Sequence, residues 1–248
     1  MAESRRRVAL ISDIHGNLIS LEAVLAEIER RGVEEIVCLG DSAANGPRPG
    51  ECLDLLASVT DRVVMGNADE WLLNPQLDPE ADDFHRKVEE SDLWTIAQLS
   101  PANRRFLRSF QPSILLDTPT PLLAFHATPR SNREIVLPVT PTEDAAAIFA
   151  DYPAPLLAGG HTHQPFVRRI HAQTFINPGS VGLPYVIGRD GQAHNPPWAE
   201  YAVVEWDERG GVEIQLHRVP VESQAIYGAI LASGMPYADF WAAEWAKA

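Results

Sequence analysis

The sequence predicts an α/β fold, and three observations carry that expectation. Short apolar runs alternate with stretches of helical spacing from the first residues onward. Five polar clusters each follow closely on an apolar run: Asp13 to His15, Gly40-Asp41, Gly66-Asn67, His126 and Gly160 to His163. The chain has 248 residues and is 45% hydrophobic, enough to bury one sizeable core.

The first strand, Val8–Ile11, ends near Asp13. Asn17 can then cap a helix in which Leu21, Val24, Leu25 and Ile28 recur on one face, and Gly32 is placed to end it. Strand two is Glu35–Leu39, helix two is Pro49–Ser58 with proline in its first turn, and strand three is Arg62–Met65. Such an opening favours a right-handed parallel sheet.

From Trp71 to Gln111 the spacing is loosely helical, with Ser100 and Pro101 placed to start a helix. Two or three helices should cover the sheet or lean over the functional edge. The acidic run from Asp78 to Asp92 reads as a solvated face. The second half is richer in strands: Ile114–Leu116, Leu122–Phe125, Leu156–Ala158, Phe166–Ile170, Thr174–Ile176, Glu200–Trp206 and Val212–His217. Thr142–Ala150 and Val221–Ser233 read as helices. Phe240, Trp241 and Trp245 form an aromatic strip suited to packing and compatible with a homodimer contact. The expected organisation is a single domain over 1–248, with a helical insert at about 71–111 and a C-terminal tail at about 234–248.

The net charge of −14 argues against stable nucleic-acid binding, which needs cationic side chains on phosphates. No apolar stretch approaches a membrane span, and the basic N-terminus lacks the apolar core of a signal peptide. Two cysteines are too few for a disulfide framework, and Cys38 lies within an apolar run. A cytoplasmic protein is expected.

Function gathers at the carboxyl ends of strands in α/β sheets. The five clusters would deliver Asp13, His15, Asp41, Asn67, His126, His161 and His163 there. That is a ligand set for two metal ions, with a carboxylate able to bridge them. Two divalent ions against two carboxylates leave a site of about +2. Such a site attracts phosphate, and water held between the ions would attack phosphorus in line.

These clusters resemble the signature of the calcineurin-like metallophosphoesterase family: D-x-H, G-D, G-N-H-D/E, a lone H, and G-H-x-H. Gly46-Pro47 and the segment from Asn177 to Ser180 extend the likeness, which covers roughly residues 7 to 217. The resemblance implies a two-sheet β-sandwich flanked by helices. It implies one metal on Asp13, His15, Asp41 and His163, and another on Asp41, Asn67, His126 and His161. Mn²⁺ is expected by the resemblance, and the nitrogen and oxygen donors also suit Fe, Zn, Ni or Co.

The sequence departs from the family pattern at Ala68, where relatives usually carry the histidine thought to protonate the leaving group; some branches, mostly small bacterial and archaeal phosphodiesterases, also lack it, and the chain resembles these. Ala127 also replaces a common glycine after His126. Asn45, Arg48 and Arg130 are candidate substrate contacts, arginine being suited to phosphate. Arg133 reads as a solvated residue. Asn17 reads first as a helix cap and then as a support behind the ligands, and Asp69 as a second support. No role is assigned to His85, His171, His194 or His217.

The expected function is metal-dependent hydrolysis of a small phosphorylated substrate, a phosphodiester or an activated phosphomonoester. Hydrolysis of a nucleotide pyrophosphate bond, as in relatives that cleave dinucleoside polyphosphates, stays open, because that leaving group needs no proton donor. A protein phosphatase stays open on the same fold. A catalytically weak scaffold is the alternative of another class, and degraded ligands would mark it.

Overall fold

β1 (Arg6–Ile11) alternates between two apolar surroundings. Val8 and Leu10 enter one buried cluster, while Ala9 and Ile11 enter another. A strand that is apolar on both faces has to be covered on both. The computed structural model shows how, for residues 5–189, 191 and 193–245. The ends of the expected domain, 1–4 and 246–248, lie outside those residues, and the latter include the end of the expected tail.

One face of β1 is covered by α1 (Leu18–Arg30) and α2 (Pro49–Val59), which bring Leu21, Val24, Ile28, Leu53 and Leu56 to it. The Asn17 side chain accepts from the Ser20 amide and caps α1, as its position predicts. The other face of β1 meets a second sheet.

The first sheet runs β11-β10-β1-β2, with β2 (Glu35–Cys38), β10 (Trp198–Trp206) and β11 (Val212–Pro220). β1 is parallel to β2 and antiparallel to β10. The second sheet runs β3-β4-β5-β7-β6. Its strands are β3 (Ser113–Leu116), β4 (Leu122–Phe125), β5 (Leu156–Ala158), β6 (Phe166–Ile170) and β7 (Gln173–Asn177). Val8, Leu10, Val37 and Leu39 pack against Leu122, Ala124, Leu156, Ala158 and Ile176 between the sheets. The far face of the second sheet carries Phe125, Leu157 and Phe175, which meet Phe149 of α6 (Thr142–Phe149). The layers are therefore helix, sheet, sheet, helix, the two-sheet α/β sandwich expected.

Three local expectations need correction. Arg62–Met65 does not form a regular strand: Val63 bridges Cys38 and Val64 bridges Gln111, each as an isolated pair. The chain turns away at once, because Gly66 caps a helix, α3 (Asn67–Leu73). Helical structure thus starts at Asn67, ahead of Trp71. The acidic run is not solvated throughout. Asp92 is 4% exposed on α4 (Asp83–Gln98), where it shares the inward face with Ser91 and Thr95.

α5 (Pro101–Arg108) opens with reciprocal hydrogen bonds between Ser100 and Asn103. A small hairpin, β8 (Val186–Ile187) with β9 (Ala193–His194), has no counterpart among the sequence expectations. α7 (Ser223–Ala232) and α8 (Ala238–Ala243) close the described chain. Trp245 is buried with Ile226, Ile230 and Met235, and Trp241 packs against them, while Phe240 of the same strip is exposed. Cys38 and Cys52 are free and buried.

Candidate metal centre

Asp13 and His15 follow β1, Asp41 follows β2, His126 follows β4, and His161 and His163 follow β5. Asn67 opens α3. The first two strands belong to one sheet and the last two to the other. The site therefore straddles one end of the sandwich.

Turning side chains inward here requires an unusual backbone. Asp13, His15, Asp41, His161 and His163 all have φ between 47° and 65°, in the left-handed region. They make up five of the eight such non-glycine positions among the described residues. Main-chain bonds hold the turns: the Asp13 amide donates to the Gly40 carbonyl at 2.9 Å, and the His15 amide to Asp41 at 3.0 Å. Gly66 is required by close approach, because a Cβ there would overlap the Asp41 carboxylate.

The ligand atoms form two groups, Asp13 with His15 and His163, and Asp41 with His126 and His161. In each group they lie within 4.8 Å of one another. Hydrogen bonds fix what those atoms present. His15 Nδ1 lies 3.0 Å from the Ala44 carbonyl, His126 Nδ1 2.8 Å from Leu39, and His163 Nδ1 2.7 Å from Leu183. A carbonyl accepts, so each Nδ1 donates and each neutral ring presents a lone pair at Nε2. Those lone pairs converge. His163 Nε2 lies 3.3 Å from Asp13 Oδ1, and His126 Nε2 lies 3.3 Å from Asp41 Oδ2. Asp13 Oδ1 is buried and has no hydrogen-bond partner. Acceptors gathered this way need a cation among them, and the donor set fits divalent metals.

Asp41 links the two groups. Its Oδ2 lies 3.9 Å from His15 Nε2 as well as 3.3 Å from His126 Nε2. Its Oδ1 accepts from the Ala68 amide at 2.8 Å. Asn67 supports the same reading. Its Oδ1 sits 3.0 Å from His126 Nε2, one acceptor against another. With the amide reversed, its nitrogen would donate to His126 Nε2 and to His161 Nδ1 at 2.9 Å. A cation selects the first orientation, since only the oxygen can bind it.

The charges in the site point the same way. Burial opposes protonation of His126, yet the Asp41 carboxylate beside it raises its pKa to about 9. Burial likewise opposes ionisation of Asp13, but His163 holds its carboxyl below the ordinary value. The pocket thus favours positive charge next to its carboxylates, whether proton or metal.

Asp69 and Asn17 lie behind the ligand-bearing turns. Asp69 is buried and accepts from the Ser42 amide at 2.9 Å, which braces the turn after Asp41. Burial, then the charge of Asp41, raises its pKa to about 7. Asn17 donates from Nδ2 to the Gly182 carbonyl at 2.9 Å. Two residues beyond the expected set also bear on the site. Asn177 donates to the Gly160 carbonyl at 2.8 Å, and Ser180 to the Asp13 carbonyl at 2.8 Å. The Asn177-to-Ser180 segment was the signal for both.

The expected substrate contacts separate. Asn45 lines a cavity that it shares with His163. Arg130 lines a hollow beside His126 and is bound through two nitrogens to Glu134, at 2.9 and 2.5 Å. Arg48 lines a different hollow, with Trp94 and Ser233, and lies 3.7 Å from Glu51. Arg133 is 3.6 Å from Glu70 at the surface. Phe84, Trp241 and Trp245 also line the Asn45 cavity. The sequence reading gives the last two a packing role or a homodimer contact, and no place in a cavity.

Residues 7–209 match the model of the calcineurin-like phosphoesterase superfamily domain. An uncharacterised protein of Methanocaldococcus jannaschii is 31% identical over 251 aligned positions, 92% of this chain and 93% of that one. A metallophosphoesterase of Sphaerobacter thermophilus superposes with a TM-score of 0.73 at 27% identity, over 97% of this chain and 98% of the other. A hypothetical protein of Pyrococcus horikoshii gives 0.74 at 20% identity, over 93% and 94%. Among the described residues no helix is long and apolar enough to cross a membrane.

Proposed function

Because the chain belongs to the calcineurin-like phosphoesterase superfamily, we propose that it hydrolyses phosphodiesters or activated phosphomonoesters at a dinuclear metal centre. The observation that carries this reading is the convergence of ligand atoms from Asp13, His15 and His163 beside those of Asp41, His126 and His161. Asp41 would help to hold both ions, because its Oδ2 faces both groups. Asn67 would join the second group through its carboxamide oxygen. Two divalent ions, when bound, supply positive charge for the phosphoryl oxygens and a water acidic enough to attack at neutral pH.

The chain's own residues set the rest. The carbonyls behind His15, His126 and His163 fix which ring nitrogen faces inward. Ala68 uses its amide to hold Asp41 and has no side-chain proton to give. The leaving group must therefore depart largely unaided, which favours acidic alcohols and phenols. The donor set suits Mn²⁺, and the same chemistry admits Fe, Zn, Ni or Co.

The test is turnover of bis-p-nitrophenyl phosphate and p-nitrophenyl phosphate after metal loading, with bound metal counted by elemental analysis. About two ions per chain and metal-dependent release of nitrophenolate are expected. A fully loaded protein that turns over neither ester with any of these metals would instead be a binding scaffold.

A further inference from the structure

The cavity of about 260 Å³ that opens beside His163 is built mostly by segments outside the metal centre. α4 contributes Phe84 and Val88, β9 contributes Ala193, and α7 and α8 contribute Ile230 and Trp241. Its walls are chiefly apolar and aromatic. Phe84 is 50% exposed yet lies edge-on to Trp241, with ring centroids 6.0 Å apart. A half-exposed aromatic pair at the mouth of an apolar hollow is a platform for a flat ring. The cavity's polar side chains are Asn45, His163, Tyr185, His194, Asn195 and Glu244. Asn45 Oδ1 is buried and has no partner. Glu244 is half-buried, and burial raises its pKa. No lysine or arginine lines the cavity among the described residues.

From this juxtaposition we propose that the cavity binds an uncharged aromatic ring carried by the substrate, next to a phosphoryl group held at the metal centre. This deepens the phosphoesterase reading and rests on it for the position of the phosphoryl group. The walls suit the ring. A second phosphate is disfavoured, because the cavity offers a carboxyl group and, among the described residues, no lysine or arginine. The ring can belong to a simple aryl ester or to a nucleoside. Both share the chemistry that the cavity recognises.

Tryptophan fluorescence tests this directly, since Trp241 and Trp245 line the cavity. The Mn²⁺-loaded chain is titrated with methylphosphonate, methylenediphosphonate, phenylphosphonate and thymidine 5′-phosphate. At least one aromatic ligand should bind about tenfold or more tighter than both non-aromatic ones, as burial of a ring predicts. Whichever aromatic ligand binds tighter identifies the source of the ring. In Val88→Phe and Ala193→Phe, which fill the cavity from different elements, the preference should fall towards one. Equal affinity for methyl and aromatic ligands in the wild type overturns the proposal, as does tighter binding of methylenediphosphonate. If aromatic ligands are preferred but no ester is hydrolysed, the cavity stands and the phosphoesterase reading falls. If esters are hydrolysed with no aromatic preference, the reverse holds.

Discussion

The Nε2 atoms of His15 and His163 face one another at 3.2 Å, and each ring's other nitrogen is committed to a backbone carbonyl. Two neutral imidazoles in that arrangement repel unless a proton or a metal ion stands between the lone pairs. Burial opposes a proton on His163, and the Asp13 carboxylate favours it, so a metal ion competes with that proton for the same place.

Metal binding should relieve that repulsion. At free Mn²⁺ about a hundredfold above Kd, each ion bound should raise stability by about 2.7 kcal/mol. That corresponds to a rise in Tm of roughly 5–10 °C per ion. EDTA should reverse it, and Asp13→Ala should lose the share of the ion that Asp13 would hold. A thermal melt with and without metal checks the prediction, and coincident curves for loaded and stripped protein would contradict it.

Asp69 acts through Asp41's turn by accepting from the Ser42 amide. Asp69→Asn keeps an acceptor there and should change metal affinity little. Asp69→Ala should weaken it by about 10–100-fold. Competition for Mn²⁺ with a chromophoric chelator measures both, and equal affinities in the two variants would remove Asp69 from the support.

Ala68 offers no proton to a departing alkoxide. Ala68→His should accelerate hydrolysis of phenyl or alkyl esters by about 100-fold, while p-nitrophenyl esters change little. The measurement is the slope of log rate against leaving-group pKa. An identical slope in both proteins refutes the idea.

Much of this centre was legible because each ligand block is local. A polar cluster after an apolar run survives whatever the tertiary fold does, and Asn17 announces its cap in the same way. Other features depend on distant partners. The segment at Val63 has strand-like residues but too little partner backbone to make a ladder. Asp92 looks like its acidic neighbours, and only the docking of α4 buries it. The β8–β9 hairpin has two residues per strand, too few for any period to appear. The aromatic cavity needs α4, β9, α7 and α8 together, so no single stretch of sequence could describe it.

Glu27 provides a pH test away from the centre. Its carboxylate accepts from Arg30 and Arg31 at 2.6 Å, and these bonds lower its pKa from 4.5 to about 2. A depressed folded-state pKa adds stability above the unfolded value, and that stability is lost as pH falls through the folded one. Glu27→Gln should therefore cost less than about 1 kcal/mol at pH 7, solvent screening included. The difference from wild type should shrink from pH 4.5 downward and vanish near pH 2. Urea midpoints across that range decide it, and a difference that persists at pH 2 would falsify the assignment.

The left-handed backbone at Asp13, His15, Asp41, His161 and His163 sets durability against chemistry. Glycine would sit more comfortably at such positions, where non-glycine residues are held at about 1–3 kcal/mol of strain. A screen for heat resistance that ignored activity would find some of its easiest gains there, and each gain would dismantle the centre.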